Sequence, residues 1–222
     1  MSPQNEILKV LKSVIKSDKT PIALHEPFFS IEESNIVKDC INSSYVSSVG
    51  SYVQKFENML QDYTKSKNVI ALVNGTSALQ IALRVIGVNQ GDEVIIPAIS
   101  FVATSNAVVH SGAIPHFVDC SNSDLCINPE FLKNYLNNIS EKNTEGLRNK
   151  ITGRKISAIV PVHVFGLVAQ IKNIIQVANK FNLPVIEDAA EALGSFNDGL
   201  HSGTFGKMGV LSFNGNKIIT TG

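Results

Sequence analysis

The segment GDEVIIPAISFVATSNAVVHSGAIPHFVD, residues 91–119, contains the alternation from which the fold class is predicted. It contains two short and mainly apolar runs, residues 92–97 and 114–119, and each run predicts a strand. Residues 102–112 lie between the two runs and predict a helix. Strands that are apolar throughout and are separated by helices are typical of parallel sheets, so we predict a largely parallel sheet.

The same alternation continues on both sides of this stretch. Further apolar runs predict strands at residues 69–73, 156–162 and 183–188. Four more helices are predicted. Apolar residues at helical spacing indicate one helix carrying Val53, Phe56, Leu60 and Tyr63, one over residues 76–87, and one carrying Ile171, Ile174, Ile175 and Ala178. A helix-start signal at Pro129 indicates another, which runs to about Ile139. The predicted fold class is α/β, with a mainly parallel sheet covered by helices on both faces.

Two segments depart from this alternation. Residues 140–155 are charged and contain few apolar side chains, so they predict a surface excursion. After Asp188, frequent glycines predict antiparallel ribbon and tight loops, with a hairpin turn at the Asn-Asp-Gly of residues 197–199.

The chain divides into a short segment and one large domain. Residues 1–30 predict an N-terminal helical segment, whose first apolar stretch is interrupted by polar residues and is therefore amphipathic. Ser30 and Glu33 have the spacing of a capping box, which predicts the start of the next helix. Residues 31–222 are assigned to one large domain.

The composition excludes several classes of protein. The 222 residues include 19 Lys plus Arg and 19 Asp plus Glu, so no basic excess favours a nucleic-acid or anionic-membrane partner. No apolar run approaches the roughly 20 residues of a membrane span, and no signal peptide is evident. The three cysteines, Cys40, Cys120 and Cys126, lack metal-type spacing and are expected to be free thiols. We therefore expect a cytoplasmic protein without a metal site.

A phosphate site is the first chemical hypothesis. In open α/β sheets, ligands gather beyond the carboxyl ends of the strands. The turn NGTSAL, residues 74–79, follows a predicted strand and opens a helix, where free N–H groups of Gly75 and its neighbours and the hydroxyls of Thr76 and Ser77 suit a phosphate. An ordinary helix cap explains the same residues equally well. No GxGxxG motif follows the strand, so a dinucleotide site is not indicated.

Other strand ends carry candidates for holding a flat ring. Phe101 follows residues 92–97 and is either a stacking face or a core side chain. His163 follows residues 156–162 and is either structural or close to a ligand.

The acidic strand end is the strongest local signal. In PVIEDAAEALGS, residues 184–195, Glu187 and Asp188 end a buried strand, where a carboxylate needs a partner. A cationic ring nitrogen would supply that partner, Ala190 leaves room for a flat ring, and Glu191 can return toward it. The alternative is an acidic residue placed to favour a helix N-terminus.

Lys217 completes the pattern. It lies in LSFNGNKIITTG, residues 211–222, among apolar and small residues with no acidic neighbour. Alone it is an ordinary solvated or turn lysine. Together with a phosphate turn, an aromatic face, a buried carboxylate and Ser212, it matches the requirements of pyridoxal 5′-phosphate, which forms a Schiff base with a lysine.

The same stretches resemble a known family. The chain is similar to the DegT/DnrJ/EryC1/StrS sugar aminotransferases, which have the aspartate-aminotransferase fold of type I. It resembles most the members that aminate C4 of UDP-linked keto-sugars for bacillosamine or legionaminic-acid type glycans. The similarity rests on YVSSVGSYVQKFE (45–57), NGTSALQIAL (74–83), GDEVIIPAISFVAT (91–104), VHVFG (162–166), VIEDAAEALGS (185–195) and GVLSFNGNK (209–217).

The resemblance implies a role for each matching residue. Lys217 would be the Schiff-base lysine and Asp188 the partner of the ring nitrogen, with His163 a further site residue. Glu191 occupies the place of a more usual Gln near the ring hydroxyl. The remaining matches imply Phe101 as the stacking aromatic, Ala190 beneath the ring, and Gly75, Thr76, Ser77 and Ser212 around the phosphate.

The resemblance also implies an activity and its alternatives. The expected reaction is amino transfer, with glutamate as donor, to a nucleotide-linked 4-keto-6-deoxy sugar by a homodimer. A dehydratase of the same family is the first alternative, although those members have histidine in place of Lys217. The second alternative is an inactive or dimerising fragment. Relatives continue past the lysine into a small C-terminal domain, so we expect this chain to be a large domain cut short, with little activity on its own.

Overall fold

The computed structural model describes residues 2–15 and 21–221. It contains helices and strands in the predicted alternation. The helices are α1 Pro3–Val14, α2 Ile31–Asn42, α3 Ser51–Thr64, α4 Gly75–Val85, α5 Val102–His110, α6 Pro129–Ile139 and α7 Ile171–Phe181. The strands are β1 Glu93–Pro97, β2 Ile114–Val118, β3 Ser140–Asn143, β4 Gly146–Asn149, β5 Lys155–Ile159, β6 Ile186–Asp188, β7 Phe196–Asn197, β8 Leu200–His201 and β9 Met208–Val210.

Local signals fix the helix starts that the sequence predicts. The Ser30 side chain accepts the Glu32 N–H, and the Glu33 carboxylate accepts the Ser30 N–H at 2.6 Å, so the capping box of α2 is confirmed. At α6, the Asn128 side chain accepts the Phe131 N–H at 3.0 Å, and proline occupies the first turn. Helices α1 and α2 bury none of their described residues.

The sheet is mixed, with its parallel strands side by side. Strands β2, β1 and β5 are parallel neighbours, and antiparallel β4 and β3 continue the sheet beside the start of β5. Strands β6 and β9 form a parallel pair, which the parallel bridges Ile159–Val185 and Val162–Asp188 connect to the β5 side. The parallel strands therefore run from β2 through β1, β5 and β6 to β9, and their carboxyl ends lie at one edge.

Helices cover both faces of this sheet. Along β1, Ile95 belongs to one buried cluster, whereas Val94 and Ile96 belong to the other, as expected for strand side chains that alternate between faces. The first cluster includes apolar residues of α6 and α7, and the second includes apolar residues of α4 and α5. The predicted α/β class with two covered faces is confirmed.

Residues 69–73 do not form the predicted strand. They pair with no other strand among the described residues, and Ile70 and Val73 are 77% and 87% exposed. The Ala71 N–H donates instead to the Glu57 carboxylate at 2.8 Å. The prediction was wrong because an apolar run becomes a strand only where a partner strand is available.

Residues 140–155 form more than a surface excursion. They include the β3–β4 hairpin, in which Leu147 is buried opposite Ile156. Polar residues here also satisfy a buried carboxylate, because Asn149 and Thr152 donate to Glu93 at 2.8 and 2.5 Å. Burial alone would raise the pKa of Glu93, but these hydrogen bonds and one with His116 bring it below its ordinary value. The prediction of a surface segment did not include these hydrogen bonds from polar side chains to a buried carboxylate.

The glycine-rich region after β6 is confirmed in part. The predicted turn at residues 197–199 joins β7 to β8 as an antiparallel hairpin. β9, however, pairs with β6 in parallel rather than forming more ribbon. Gly209 allows the backbone of Gly203 to lie against β9, because a Cβ at position 209 would lie 2.0 Å from the Gly203 carbonyl oxygen.

Candidate active site

A cavity of about 370 Å³ lies at the carboxyl ends of β1, β5, β6 and β9. This is the edge at which ligands of open α/β sheets collect. Of the ten residues predicted for the site, all except Ser77 line the cavity: Gly75, Thr76, Phe101, His163, Asp188, Ala190, Glu191, Ser212 and Lys217. Elements far apart in the chain are therefore brought together around one space.

The start of α4 forms one wall of the cavity. The Asn74 side chain caps the helix by accepting the Ser77 N–H at 2.8 Å, which occupies the backbone donor of Ser77. Within the described residues, the N–H groups of Gly75 and Thr76 have no protein acceptor. A Cβ at Gly75 would lie 3.4 Å from the Ser212 Cβ, so the helix start and the Ser212 hydroxyl are neighbours. Free N–H groups beside a hydroxyl form a suitable anion site.

The loop after β9 brings Lys217 to the cavity. The Lys217 N–H donates to the Asn214 carbonyl at 2.9 Å, and the Phe213 ring packs edge-on against Phe56 of α3 with centroids 5.0 Å apart. The Lys217 side chain is only 10% exposed. Its Nζ atom lies 3.0 Å from Glu191 Oε1 and 5.4 Å from the centre of the Phe101 ring.

Asp188 is the buried carboxylate of the cavity. It is 4% exposed at the end of β6, where Oδ2 accepts the Thr104 hydroxyl at 2.7 Å and Oδ1 accepts the Ala190 N–H at 3.2 Å. Burial raises the pKa of the Asp188 carboxyl, and the two hydrogen bonds with the nearby Lys217 charge offset this effect only in part. A cationic atom bound in the cavity would favour the ionised carboxylate.

Glu187 and His163 form a fully buried pair behind the cavity. The Ala169 N–H donates to His163 Nδ1 at 3.1 Å, so the ring hydrogen is on Nε2 and is donated to Glu187 at 3.0 Å. Glu187 also accepts three backbone N–H groups of the loop over residues 203–206 at 2.6 to 2.8 Å. Both ring nitrogens of His163 are thus occupied, and Glu187 needs no ligand to balance its burial.

A strained turn lies at the rim of the cavity. Phe165 has left-handed backbone angles (φ 54°, ψ 23°), which are rare for a large side chain, and its ring is 76% exposed. Its N–H donates to Glu191 Oε2 at 3.0 Å, and the Ser195 hydroxyl donates to the Gly166 carbonyl at 2.8 Å. The turn is therefore held by the same carboxylate that contacts Lys217.

Sequence reasoning missed two residues of this site. Thr104 contacts Asp188, and its only sequence signal is its position three residues after Phe101 in a predicted helix. Phe165 was noted only as part of the VHVFG motif and was not predicted as a site residue. A left-handed backbone conformation at a phenylalanine cannot be recognised from composition or periodicity.

Comparison with known proteins agrees with this geometry. A family model described as the DegT/DnrJ/EryC1/StrS aminotransferase family matches residues 29–222. The chain belongs to this family. A GDP-perosamine synthase from Caulobacter vibrioides is 39% identical over 206 residues, which cover 93% of this chain and 51% of that relative. The chain spans about half the length of the curated relatives it matches.

Solved structures of DegT/DnrJ/EryC1/StrS aminotransferases and related proteins share the fold. An aminotransferase from Psychrobacter cryohalolentis superimposes with a TM-score of 0.77 at 34% identity, covering 89% of this chain and 46% of that one. A putative sugar aminotransferase from Streptococcus pneumoniae in its PLP form has a TM-score of 0.74 at 27% identity, covering 90% of this chain and 50% of that one. The predicted family and fold are confirmed.

No helix within residues 2–15 and 21–221 has the length and apolar character needed to cross a bilayer. No group of three or more His, Cys, Asp or Glu side chains in the same residues is placed to hold a metal ion.

Proposed function

We propose that this chain forms the cofactor-binding part of a pyridoxal-phosphate-dependent aminotransferase acting on a nucleotide-linked 4-keto-6-deoxy sugar. The observation that carries the proposal is the shared cavity of Lys217 and Asp188, with the face of Phe101 and the start of α4 around it. Family membership and the relative solved in its PLP form support the choice of cofactor.

The residues present fit this cofactor. The two free N–H groups at the start of α4 and the Ser212 hydroxyl suit its phosphate. The exposed Phe101 ring offers a face to a flat heterocycle, and buried Asp188 lacks the cationic partner that a ring nitrogen would provide. When bound, pyridoxal phosphate supplies an electron-poor ring that withdraws electrons from the reacting carbon.

The side chains around it have distinct proposed tasks. Lys217 would hold the cofactor, and its amine would be placed to move protons at the reacting carbon atoms. Asp188 would favour the protonated form of the ring nitrogen. Glu191 holds Lys217 Nζ and the Phe165 N–H at the same time. We assign His163 a positioning role in place of the expected catalytic one, because its ring nitrogens are both engaged.

Two indications of the substrate's nucleotide point in different directions. Residues 212–222, with the long segment before residues 156–166, resemble enzymes of UDP-linked sugars, whereas the Caulobacter relative is named for a GDP-linked sugar. We propose glutamate as the amino donor and a cytoplasmic homodimer as the working form.

Amino transfer would test this function directly. The protein containing residues 1–222 is loaded with pyridoxal phosphate and incubated with glutamate and a 4-keto-6-deoxy sugar linked to GDP or to UDP. Mass spectrometry should show an amino sugar and 2-oxoglutarate with one of the two nucleotides. Lys207→Arg, which changes a lysine outside the cavity, should react like the unmodified protein, whereas Lys217→Arg should not react. A sugar that loses its hydroxyl without gaining nitrogen would indicate the dehydratase, and cofactor binding without either product would indicate an inactive domain.

A further inference from the structure

Thr104 makes a contact that the proposed machinery depends on. Its side chain is 1% exposed, and its hydroxyl donates to Asp188 Oδ2 at 2.7 Å. Throughout residues 2–15 and 21–221, no other side chain donates a hydrogen bond to Asp188; the second donor is the Ala190 N–H at the longer distance of 3.2 Å.

The first turn of α5 connects this hydroxyl to the aromatic face. Phe101 is the residue that precedes α5, and the Thr104 N–H donates to its carbonyl at 3.1 Å. One helical turn therefore carries both the ring that faces the cavity and the hydroxyl that contacts the carboxylate. The hydrogen bond to Asp188 joins this turn to the end of β6, so it also sets the spacing between the Phe101 ring and the carboxylate.

The acceptor of the Thr104 hydroxyl differs from the usual acceptor of a hydroxyl within a helix. Threonine and serine within helices commonly donate to a carbonyl of their own preceding turn. Ser105 does so toward Val102 at 2.9 Å, and Ser111 does so toward Ala107 at 2.8 Å. Thr104 instead uses its hydroxyl on a buried carboxylate in another element, where a hydrogen bond to a charged group is worth more than one between neutral groups.

We propose that Thr104 is a positioning residue for the cofactor, which fixes the orientation of the Asp188 carboxylate and stabilises its ionised form. This inference rests on the proposed pairing of Asp188 with the ring nitrogen. Without the hydroxyl, the carboxylate keeps the Ala190 N–H but loses its shorter hydrogen bond and its connection to α5.

Binding of pyridoxal phosphate, measured by absorbance titration, tests the proposal without an activity assay. Thr104→Val removes the hydroxyl at nearly constant shape and should weaken binding about 10- to 100-fold, the effect of losing a hydrogen bond to a charged group. Thr104→Ser restores the hydroxyl and should bind within about threefold of the unmodified protein. Ser105→Ala removes a hydroxyl from the same turn that stays within α5, and should leave binding unchanged. Thr104→Ala provides the same comparison if the valine variant does not fold.

Two further measurements separate positioning from general packing. A 1-deaza analogue of the cofactor has carbon in place of the ring nitrogen, so Thr104→Val should weaken its binding far less than that of pyridoxal phosphate. In a double-mutant cycle, Thr104→Val should add almost nothing to the effect of Asp188→Asn.

Each contrary result has a defined meaning. Equal weakening for both ligands, with a lower melting temperature of the cofactor-free protein, would make Thr104 a packing residue and overturn the inference. If Asp188→Asn weakens binding but Thr104→Val does not, the inference fails while the proposed role of Asp188 stands. If neither change affects binding, the assignment of Asp188 fails and the inference fails with it.

Discussion

Glu191 bridges Lys217 and Phe165: one carboxylate oxygen lies 3.0 Å from Lys217 Nζ, and the other accepts the Phe165 N–H at 3.0 Å. The reactive lysine of the proposed site is thereby connected to a strained turn at the rim of the cavity. A ligand that displaces the Lys217 nitrogen from Glu191 would change the contacts of the carboxylate that holds this turn.

Replacing Glu191 with glutamine tests the ion pair. Glu191→Gln keeps an oxygen for the Phe165 N–H but removes the negative charge. The Glu191 side chain is 34% exposed, so we expect the free energy of unfolding to change by less than about 1 kcal/mol. Lys217 should react faster with pyridoxal phosphate, because no ion pair must first be broken. A stopped-flow absorbance measurement of the reaction rate checks this, and a slower reaction would show that the carboxylate assists it.

The strain at Phe165 makes an unusual stability prediction. Glycine adopts left-handed angles without steric cost, and the Phe165 ring is largely exposed, so Phe165→Gly should leave stability unchanged or raise it by about 1 kcal/mol. Leu167→Gly is the matched control, because Leu167 is partly exposed with φ of −68°, where glycine should destabilise by about 0.5–1 kcal/mol. Denaturant unfolding measures both. A loss of more than 1 kcal/mol for Phe165→Gly would mean that the ring contributes packing.

The raised pKa of Asp188 predicts how stability depends on pH. In the cofactor-free protein the folded chain keeps this proton to a higher pH than the unfolded chain does. Its contribution to stability is therefore greatest below the ordinary carboxyl pKa of about 4 and is lost as the pH rises through the raised value. Asp188→Asn removes this loss of stability, so the melting temperature of the variant relative to that of the unmodified protein should rise as the pH increases above about 4. A constant difference across that range would contradict the prediction.

Much of the fold and of the candidate site could be predicted, because buried positions carry recognisable residue types in the sequence. Residues 92–97 were recognised as a strand because both faces of a covered parallel strand are apolar. Residues 114–119 were recognised by the same apolar character, although β2 lies at the sheet edge and is only partly buried. Lys217 and Asp188 were recognised because an ionisable group in an apolar context needs a partner.

The remaining features depend on contacts between distant residues. Residues 69–73 have a strand-like composition, but strand formation requires a neighbour, which the local sequence cannot report. Asn149 and Thr152 look like surface residues until Glu93, more than 50 positions earlier, is placed beside them. Thr104 and Asp188 are 84 positions apart, so their contact was also invisible.

Phe101 should matter more for the cofactor than for the fold. Its ring is 60% exposed, so Phe101→Ala should change the free energy of unfolding by no more than about 0.5 kcal/mol. Loss of the stacking face should weaken the binding of pyridoxal phosphate about 2- to 13-fold, as expected for an aromatic pair worth about 0.5–1.5 kcal/mol. Comparison of denaturant unfolding with an absorbance titration separates the two effects. Unchanged binding would remove the stacking role from Phe101.

Trapping the covalent bond between lysine and cofactor would test the proposal that Lys217 holds pyridoxal phosphate. The protein is incubated with pyridoxal phosphate, reduced with borohydride, digested and mapped by mass spectrometry, alongside Lys217→Arg and the control Lys207→Arg. We expect a single phosphopyridoxyl group on Lys217, retained in Lys207→Arg and lost in Lys217→Arg, because, of these two lysines, only Lys217 lies in the cavity with Asp188 and Phe101. Label on Lys207 or Lys180, with Lys217 unmodified, would contradict it.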